Sequence, residues 1–370
     1  MYWEVFGWNL FALAGIGFLL SFVLTAGWTK LGNKWGLLDL PRERHVHSLP
    51  RPFTGGLAIF LAFSTTLVLT AGFSFPYLGP ILSGGVLILA LGFFDDCYEF
   101  TPGFKLLVQL VVAAMLTGAG VRISYLTNPF GEMLKLGWVG YPLTILWLVA
   151  TINMINLIDG LDGLAGGVSA IAGVSLLFIG LGLRQGAAVY LCAILIGVLI
   201  GFLPFNFYPA RVFMGNSGAY FLGYILGVIS VMGALKLPTV LALVVPVFAM
   251  GIPFIDTIWA VWRRWRGDRP LAVRDEYHIH HLLLTSGLGT RKSVLLLYGI
   301  SMVLGLASVF LSRVKMLMGL VILAIGFVFL IFCLRRLQRM ESAAQENESY
   351  RSYYHDPVER ASATRKTVSK

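Results

Sequence analysis

The sequence predicts an all-α integral membrane protein, a polytopic bundle of about eleven transmembrane helices. The 370 residues are 57% hydrophobic and only 12% charged, whereas a soluble globular domain carries roughly 25% charged residues. Apolar stretches close to the ~20 residues needed to span a bilayer recur along the whole chain. These features exclude a soluble multi-domain enzyme and a disordered chain, and three scattered cysteines indicate no disulfide framework.

The predicted spans are joined by short connections. No cationic residue precedes the first span, which is too long for a signal-peptide core, so we expect it to be retained. The connections 156–165 and 206–216 are candidates for re-entrant segments. No internal repeat is visible, which weakens a transporter interpretation. The stretches lie near residues 5–27, 54–72, 78–95, 104–121, 138–155, 165–183, 187–205, 216–234, 239–262, 293–311 and 315–334.

The basic residues predict the orientation, because cytoplasmic loops accumulate Lys and Arg. With eleven spans the termini lie on opposite sides, and an outside N-terminus with a cytoplasmic C-terminus places most of the 28 Lys and Arg residues inside. All six histidines then also lie on the cytoplasmic side, and of the 18 carboxylates only Glu4 and Glu132 fall outside. The basic residues left outside are Arg122, Lys135, Arg184, Lys236, Arg313 and Lys315.

One membrane domain, residues 1–335, is expected to carry an active site on its cytoplasmic face. Residues 336–370 turn polar and are predicted to be a disordered cytoplasmic tail. The net charge of +10 is explained first by the cytoplasmic loops, and no nucleic-acid partner is predicted. The predicted cytoplasmic loops are 28–53, 95–104, 156–165, 206–216 and 263–292.

A pair of carboxylates, Asp95 and Asp96, closes the third predicted span. Adjacent carboxylates repel each other unless a cation or a proton lies between them, and hard divalent cations select carboxylate oxygens. Ionisable groups at membrane depth are functional candidates. The alternative is that the pair only marks the water boundary.

The densest polar signal is the series Asn153, Asn156, Asp159 and Asp162, which recurs at every third residue. While the backbone is helical these side chains lie on one face. Amide and carboxyl groups in an apolar region are costly unless they meet a metal, a polar ligand or water. A purely structural polar seam between helices is the alternative.

Two cytoplasmic loops carry basic and small residues that suit an anionic ligand. The first loop holds His45 and His47, followed by a proline- and glycine-rich stretch from Pro50 to Gly56 that allows a ligand to lie close to the backbone. The Gly-Asn-Ser-Gly run at 215–218 is either a plain helix cap or a set of backbone amides for a phosphate. Alone, that run is a weak signal.

The fifth cytoplasmic loop begins with an arginine cluster that includes Arg263 and Arg264, and it contains the run His-Ile-His-His at 278–281. The arginines alone are ordinary for a cytoplasmic loop. Neutral imidazole can ligate a metal, and protonated imidazole can bind phosphate. The spacing is not that of a zinc finger and no cysteine is near, so phosphate contact is favoured over structural zinc.

Together these motifs resemble those of the polyprenyl-phosphate N-acetylhexosamine-1-phosphate transferases. The matching elements, in the family's order, are Phe94-Asp95-Asp96, Asn153 to Leu164, Phe213 to Gly218 and His278 to His281. The resemblance covers about residues 28–335. The histidine run is similar to that of the WecA/TagO branch, which uses UDP-N-acetylglucosamine. The MraY branch, which handles UDP-N-acetylmuramoyl-pentapeptide, has a different run.

The resemblance implies a multi-pass enzyme of the bacterial plasma membrane that needs Mg²⁺ or Mn²⁺. Its implied partners are a UDP-sugar, a polyprenyl (undecaprenyl) phosphate lipid and the membrane, and a homodimer is left open. It would transfer N-acetylglucosamine 1-phosphate from UDP-N-acetylglucosamine to undecaprenyl phosphate, releasing UMP. The product, undecaprenyl-diphosphate-N-acetylglucosamine, would begin the membrane stage of cell-envelope glycan synthesis.

The resemblance also implies roles by motif. Asp95 and Asp96 would orient or deprotonate the lipid phosphate, and Asp159 completes the implied catalytic set. Residues implied to ligate the metal are Asp95, Asp96, Asp159 and Asn216. Residues implied to bind substrates are His47, Thr54, Gly55, Asn153, Asn156, Asp162, Arg263, Arg264, His278, His280 and His281.

Two positions depart from the family pattern. The family usually has Asp where this chain has Asn216, and Lys where it has His45. Asparagine keeps one oxygen ligand but loses the charge, so either metal affinity falls or Asp159 takes a larger share of the coordination. Direct attack and a phospho-aspartate intermediate both stay open.

Two other functions remain as alternatives. One is a transferase of the same family that uses another UDP-sugar, including UDP-N-acetylmuramoyl-pentapeptide. The other is a proton- or cation-coupled transporter, which predicts charged groups spread through the membrane depth.

Overall fold

The structure, a computed structural model, describes residues 4–5, 8–40, 50–71, 75–127, 133–234, 251 and 288–313. The predicted spans 239–262 (apart from Gly251) and 315–334 lie outside these residues. So do most of the loop 263–292 and the tail 336–370. The same holds for His47, Arg263, Arg264, His278, His280 and His281 among the predicted site residues.

The described chain is mostly helical, which confirms the predicted all-α membrane class. Seven of its helices are long and apolar enough to cross a membrane, and two more, α2 and α4, are shorter and apolar. Each coincides with one of the predicted spans to within a few residues, except that α1 begins and ends later. The helices are α1 Leu10–Trp35, α2 Gly55–Ala71, α3 Leu78–Tyr98, α4 Pro102–Gly118, α5 Gly140–Ile158, α6 Leu164–Gly182, α7 Gly186–Asn206, α8 Gly215–Ala234 and α9 Thr290–Leu311.

Within the described residues, three short antiparallel strand pairs accompany the helices, a feature that the all-α prediction did not contain. Each strand is only two or three residues long, so apolar patterning gives little signal for it. The pairs are β1 Glu4–Val5 with β2 Trp8–Asn9, β3 Leu38–Asp39 with β4 Arg51–Pro52, and β5 Tyr125–Thr127 with β6 Met133–Lys135.

The helix ends follow local chemistry. The side chain of Asn9 accepts a hydrogen bond from the Phe11 amide and caps α1, which ends at the left-handed Gly36. The connection 159–163 between α5 and α6 ends at Gly163, whose φ is +81°. The connections 159–163 and 207–214 are short and contain no helix, and their predicted re-entrant character stays a prediction.

Helix α8 lies at the centre of the bundle, packed against α2, α3, α5, α6 and α7. Its apolar window is 89% buried, whereas the corresponding windows of α1 and α9 are 28% and 33% buried. The outer faces of these two helices expose large apolar side chains such as Phe11, Val23, Val303 and Leu306. Helices that are apolar on their outward face suit a lipid environment.

The helix α1 approaches α7 closely at two glycines one turn apart. A Cβ at Gly201 would lie 2.5 Å from the carbonyl oxygen of Phe18, and one at Gly197 would overlap the backbone of Ala14. Small residues at this spacing allow membrane helices to pack backbone against backbone. The contact anchors α1, at the rim of the bundle, to the buried helix α7.

Candidate active site

The acidic pair lies inside the last turn of α3, because that helix continues to Tyr98 rather than ending at Asp95. Consecutive helical residues point in different directions, and the two carboxylates therefore have different surroundings. Asp95 is 1% exposed, whereas Asp96 is only partly buried.

The Asp95 carboxylate is fully engaged by protein groups. Its Oδ2 forms an ion pair of 2.7 Å with Nζ of Lys105 and accepts hydrogen bonds of 3.0 Å from both Nδ2 of Asn216 and the hydroxyl of Tyr220. Its Oδ1 accepts a hydrogen bond of 2.9 Å from the amide of Phe100. Asp95 thus joins the end of α3 to the starts of α4 and α8.

The Asp96 carboxylate caps the N-terminus of α8. Oδ1 accepts a hydrogen bond of 2.9 Å from the amide of Asn216, and Oδ2 accepts one of 3.4 Å from the amide of Ser217. A carboxylate is stabilised at this end of a helix by the free amides and the helix dipole. The sequence suggested these two amides as donors to a phosphate, but in the structure they donate to Asp96.

Glycines allow the segments around Asp96 to approach one another. Gly215 has a φ of +67°, and a Cβ there would lie 2.5 Å from Oδ2 of Asp96. A Cβ at Gly92, one turn before Asp96 on α3, would overlap the backbone of Ser217. Only glycine at these positions permits the short distance between α3 and the start of α8.

The stretch from Pro52 to Gly56 binds to the residues before α8 through its backbone. The amides of Gly55 and Gly56 donate to the carbonyl oxygens of Phe213 and Met214, at 3.0 and 2.9 Å. Thr54 is fully buried and donates its hydroxyl to the carbonyl of Trp28 at 2.9 Å. The described contacts of Thr54 and Gly55 are therefore with the protein itself, and their predicted role toward substrate stays a prediction.

The polar stripe on α5 divides into two parts. Nδ2 of Asn153 donates to Oε1 of Gln109 on α4 at 2.6 Å and to the carbonyl of Val149 at 2.8 Å. This part forms a polar seam between helices, which is the structural alternative given above for the stripe. One turn later, the partly buried side chain of Asn156 has no hydrogen bond within the described residues.

Beyond the end of α5, two carboxylates lie in the connection to α6. Oδ2 of Asp162 accepts a hydrogen bond of 2.9 Å from the amide of Ala210, which ties this connection to the one before α8. Burial, and to a smaller extent the nearby charge of Asp162, raise the pKa of Asp159 to about 7. Among the described residues, the Asp159 side chain has no hydrogen bond or ion pair.

The structure therefore brings together most of the predicted acidic residues that it describes. Asp95, Asp96 and Asn216 are linked by hydrogen bonds, and Asp159 lies near enough to Asp96 for their charges to interact. Asn153 is directed instead to the seam with α4.

Sequence reasoning missed two partners of Asp95. Lys105 is the single charged residue of α4, and a lone cation in an apolar helix is itself a signal of a specific partner. Tyr220 lies four residues after Asn216 on α8, hence on the same helix face. The sequence contained both signals, but neither identifies Asp95 as the common partner.

The donor chemistry fits a Mg²⁺ or Mn²⁺ ion, although the described residues contain no cluster of three His, Cys, Asp or Glu side chains that could hold a metal. Asp159 is a partly buried carboxylate that has no ion pair within the described residues, and its charge interacts with that of Asp96. Mg²⁺ is commonly held by one or two carboxylates together with water and substrate phosphates, rather than by a complete protein cage. A neutral oxygen on Asn216 is compatible with such a set.

Comparisons with known proteins agree on one family. The sequence model described as Glycosyl transferase family 4 matches residues 78–234, which run from α3 to α8. The chain is 35% identical over 316 residues to a probable undecaprenyl-phosphate N-acetylglucosaminyl 1-phosphate transferase of Bacillus subtilis (strain 168), covering 85% of this chain and 88% of the relative.

Two further relatives extend the comparison. A decaprenyl-phosphate N-acetylglucosaminephosphotransferase of Mycolicibacterium smegmatis is 33% identical over 361 residues, which cover 88% of this chain and 89% of that protein. An undecaprenyl-phosphate alpha-N-acetylglucosaminyl 1-phosphate transferase of Yersinia pestis is 28% identical, with 87% of this chain and 90% of the relative covered.

Proposed function

Because the chain belongs to the polyprenyl-phosphate N-acetylglucosaminyl 1-phosphate transferases of glycosyl transferase family 4, we propose the following reaction and site for it. The enzyme transfers N-acetylglucosamine 1-phosphate to a polyprenyl phosphate. In the proposed reaction the donor is UDP-N-acetylglucosamine, the acceptor is undecaprenyl phosphate, and the products are UMP and undecaprenyl-diphosphate-N-acetylglucosamine. The observation that carries the site is the hydrogen bond from Asn216 to Asp96, together with the charge interaction between Asp96 and Asp159, at the ends of three helices.

The reaction needs charge neutralisation more than covalent help from the protein. An oxygen of the lipid phosphate forms a bond to the phosphorus that carries the sugar, the bond from that phosphorus to the UMP oxygen breaks, and UMP leaves with the electron pair. Both reactants are anionic, so repulsion between them is the main barrier. Fixed cations and correct positioning lower it.

We assign Asp96, Asp159 and the amide oxygen of Asn216 as the protein's donors to a divalent cation. When bound, this cation would offset the negative charge of the two phosphates. The partly buried Asp96 is also the carboxylate placed to orient the lipid phosphate. Asp95 is assigned to positioning, because its carboxylate is buried and already accepts from four protein donors.

The remaining substrate contacts are proposed from the motifs. Asn156 and Asp162 would contact the nucleotide. The basic and histidine residues outside the described part of the chain, His47, Arg263, Arg264, His278, His280 and His281, would hold the pyrophosphate and the sugar. These cations complement the acidic side chains of the described part, which alone would repel an anionic substrate.

We also propose eleven spans, an outside N-terminus and a cytoplasmic active site in the bacterial plasma membrane. Consecutive helices of opposite direction bring the end of α3, the end of α5 and the start of α8 to one side. The same alternation brings Arg122, Lys135 and Arg184 to the other side. This agrees with the rule that the outer loops of a membrane protein carry few Lys and Arg residues. A homodimer stays a prediction.

A transporter is disfavoured by the position of the charges. In the described helices, Asp95 and Asp96 are the acidic residues, and both lie within the last four positions of α3. A relay across the bilayer needs ionisable groups at several depths. The described acidic residues cluster at helix ends, as a reaction between a cytoplasmic nucleotide and a membrane lipid requires.

The proposal is tested by measuring UMP release from membranes that contain the enzyme, UDP-N-acetylglucosamine and undecaprenyl phosphate. Asp159→Asn should reduce the rate by about 100-fold or more, since charge stabilisation of this kind contributes on that scale. Glu99→Gln, which changes an exposed acid close to α3, is the control and should retain activity. Equal rates for Asp159→Asn and wild type would refute the site, and faster release from another UDP-sugar would replace the donor.

A further inference from the structure

The helix α9 reaches the acidic connection between α5 and α6 through one side chain. The hydroxyl of Tyr298 donates a hydrogen bond of 2.5 Å to the carbonyl oxygen of Gly163, 135 positions earlier in the chain. The same carbonyl accepts the first backbone hydrogen bond of α6, from Gly167 at 2.9 Å. Tyr298 therefore contacts the backbone at the point where the connection ends and α6 begins.

The Tyr298 ring is held against the backbone of α6. A Cβ at Gly167 would overlap the ring and hydroxyl of Tyr298, so only glycine leaves room for it. On the other side, the ring of Phe207 lies 6.5 Å from that of Tyr298, at an angle of 45°. The packing of the ring thus fixes the position of the Tyr298 hydroxyl.

The connection that Tyr298 contacts depends on other elements for its conformation. It contains Gly160 and the left-handed Gly163, both conformationally permissive. Its tethers to other parts of the chain include the bond from Ala210 to Asp162 and the bond from Tyr298 to Gly163, and the buried Leu161 belongs to the hydrophobic core. The side chain of Asp159, which lies between α5 and these tethers, depends on them for its position.

We infer that Tyr298 is a positioning residue: through Gly163 it holds the connection 159–163 so that Asp159 is placed to receive the divalent cation. This inference rests on the proposed function for the identity of that cation. Tyr298 touches no reacting atom, and its hydroxyl acts only through the backbone. A site whose acidic residues must hold their position within a fraction of an ångström gains from such a support.

The variant that tests the inference is Tyr298→Phe, which removes the hydroxyl and keeps the ring. Its matched control is Tyr224→Phe, because the Tyr224 hydroxyl also donates to a backbone carbonyl, that of Ile81 at 3.0 Å, away from the acidic residues. Both variants lose one hydrogen bond of the same chemical type. A general loss of stability should therefore affect them similarly.

Two measurements on the full chain in detergent or nanodiscs give separate answers. Hydrogen–deuterium exchange of a peptide covering 159–164 should become about fivefold faster in Tyr298→Phe and stay unchanged in Tyr224→Phe, as expected for one lost hydrogen bond. The Mn²⁺ concentration for half-maximal UMP release should rise about fivefold in Tyr298→Phe alone, with the KM for polyprenyl phosphate unchanged. Gly167→Ala, which displaces the ring, should reproduce both changes.

Each outcome of these measurements either supports or contradicts the inference. Identical exchange in the two tyrosine variants overturns the inference, and so does faster exchange at 159–164 without a change in the Mn²⁺ requirement. If the wild-type enzyme releases no UMP, the proposed function fails. In that case, Mn²⁺ binding to the purified chain, measured from the free-ion EPR signal, still compares Tyr298→Phe with Tyr224→Phe.

Discussion

The side-chain amide of Asn216 donates a hydrogen bond of 3.0 Å to Oδ2 of Asp95. This bond fixes the orientation of the amide, because its nitrogen faces Asp95 and its oxygen is left for another partner. The backbone amide of the same residue donates to Asp96. Asn216 thereby connects the buried carboxylate with the partly exposed one.

Asn216→Asp should lower the Mg²⁺ concentration that gives half-maximal UMP release. The substitution adds a charged ligand, but it also removes the donor to Asp95 and sets two carboxylates against each other. We therefore expect a lower melting temperature without metal and a larger increase when Mg²⁺ is added. Thermal unfolding with and without Mg²⁺ measures both effects.

Asn33→Asp is the control for Asn216→Asp, since it also removes a side-chain amide donor, from the exposed bond to Thr29. It should change neither the Mg²⁺ requirement nor the response of stability to metal. A Mg²⁺ requirement that is unchanged or higher in Asn216→Asp would show that Asn216 does not contribute a metal ligand.

Lys105→Met should destabilise the protein by about 1–3 kcal/mol, because it leaves the buried Asp95 carboxylate without its cation. The estimate is below that for a fully buried pair, since the Lys105 side chain is 27% exposed. The double variant with Asp95→Asn should regain part of this stability, as no charge is then left unpaired. Chemical denaturation measures the coupling, and strictly additive effects would contradict the ion pair.

Asn153→Ala and Asn156→Ala should have opposite consequences although both residues lie on α5. Asn153→Ala removes the seam to Gln109 and should cost about 1–2 kcal/mol of stability with little change in the KM for the UDP-sugar. Asn156→Ala should raise that KM at nearly constant stability. A KM effect in Asn153→Ala without a loss of stability would instead support its predicted role in substrate binding.

Gly215→Ala should reduce both stability and activity. The residue has a φ of +67°, and a Cβ would lie 2.5 Å from Oδ2 of Asp96, so the new methyl group strains the backbone and displaces the carboxylate. Gly15→Ala is the control, because nothing lies within 4 Å of its Cβ position on α1. Equal behaviour of the two variants in thermal unfolding and UMP release would contradict the close contact at Asp96.

The membrane class and the approximate positions of the nine described helices follow from the sequence because they depend on local composition. An apolar stretch of sufficient length is a one-dimensional signal, and it places α3, α6, α7 and α8 within three residues of their observed ends. The motifs also single out Asp96, Asp159 and Asn216. The short hairpins escape prediction because strands of two or three residues carry no periodicity.

The sequence by itself determined what kind of protein this is and which polar residues stand out from an apolar chain. Only the tertiary structure decided what each of them does: Asp95 is held by Lys105 and Tyr220, Asp96 caps α8, and Asn153 turns to Gln109. The reason is that burial and charge are set by partners on other helices, up to 125 positions away for Tyr220. Spacing along the chain cannot distinguish a carboxylate whose donors are already supplied from one that still needs a cation.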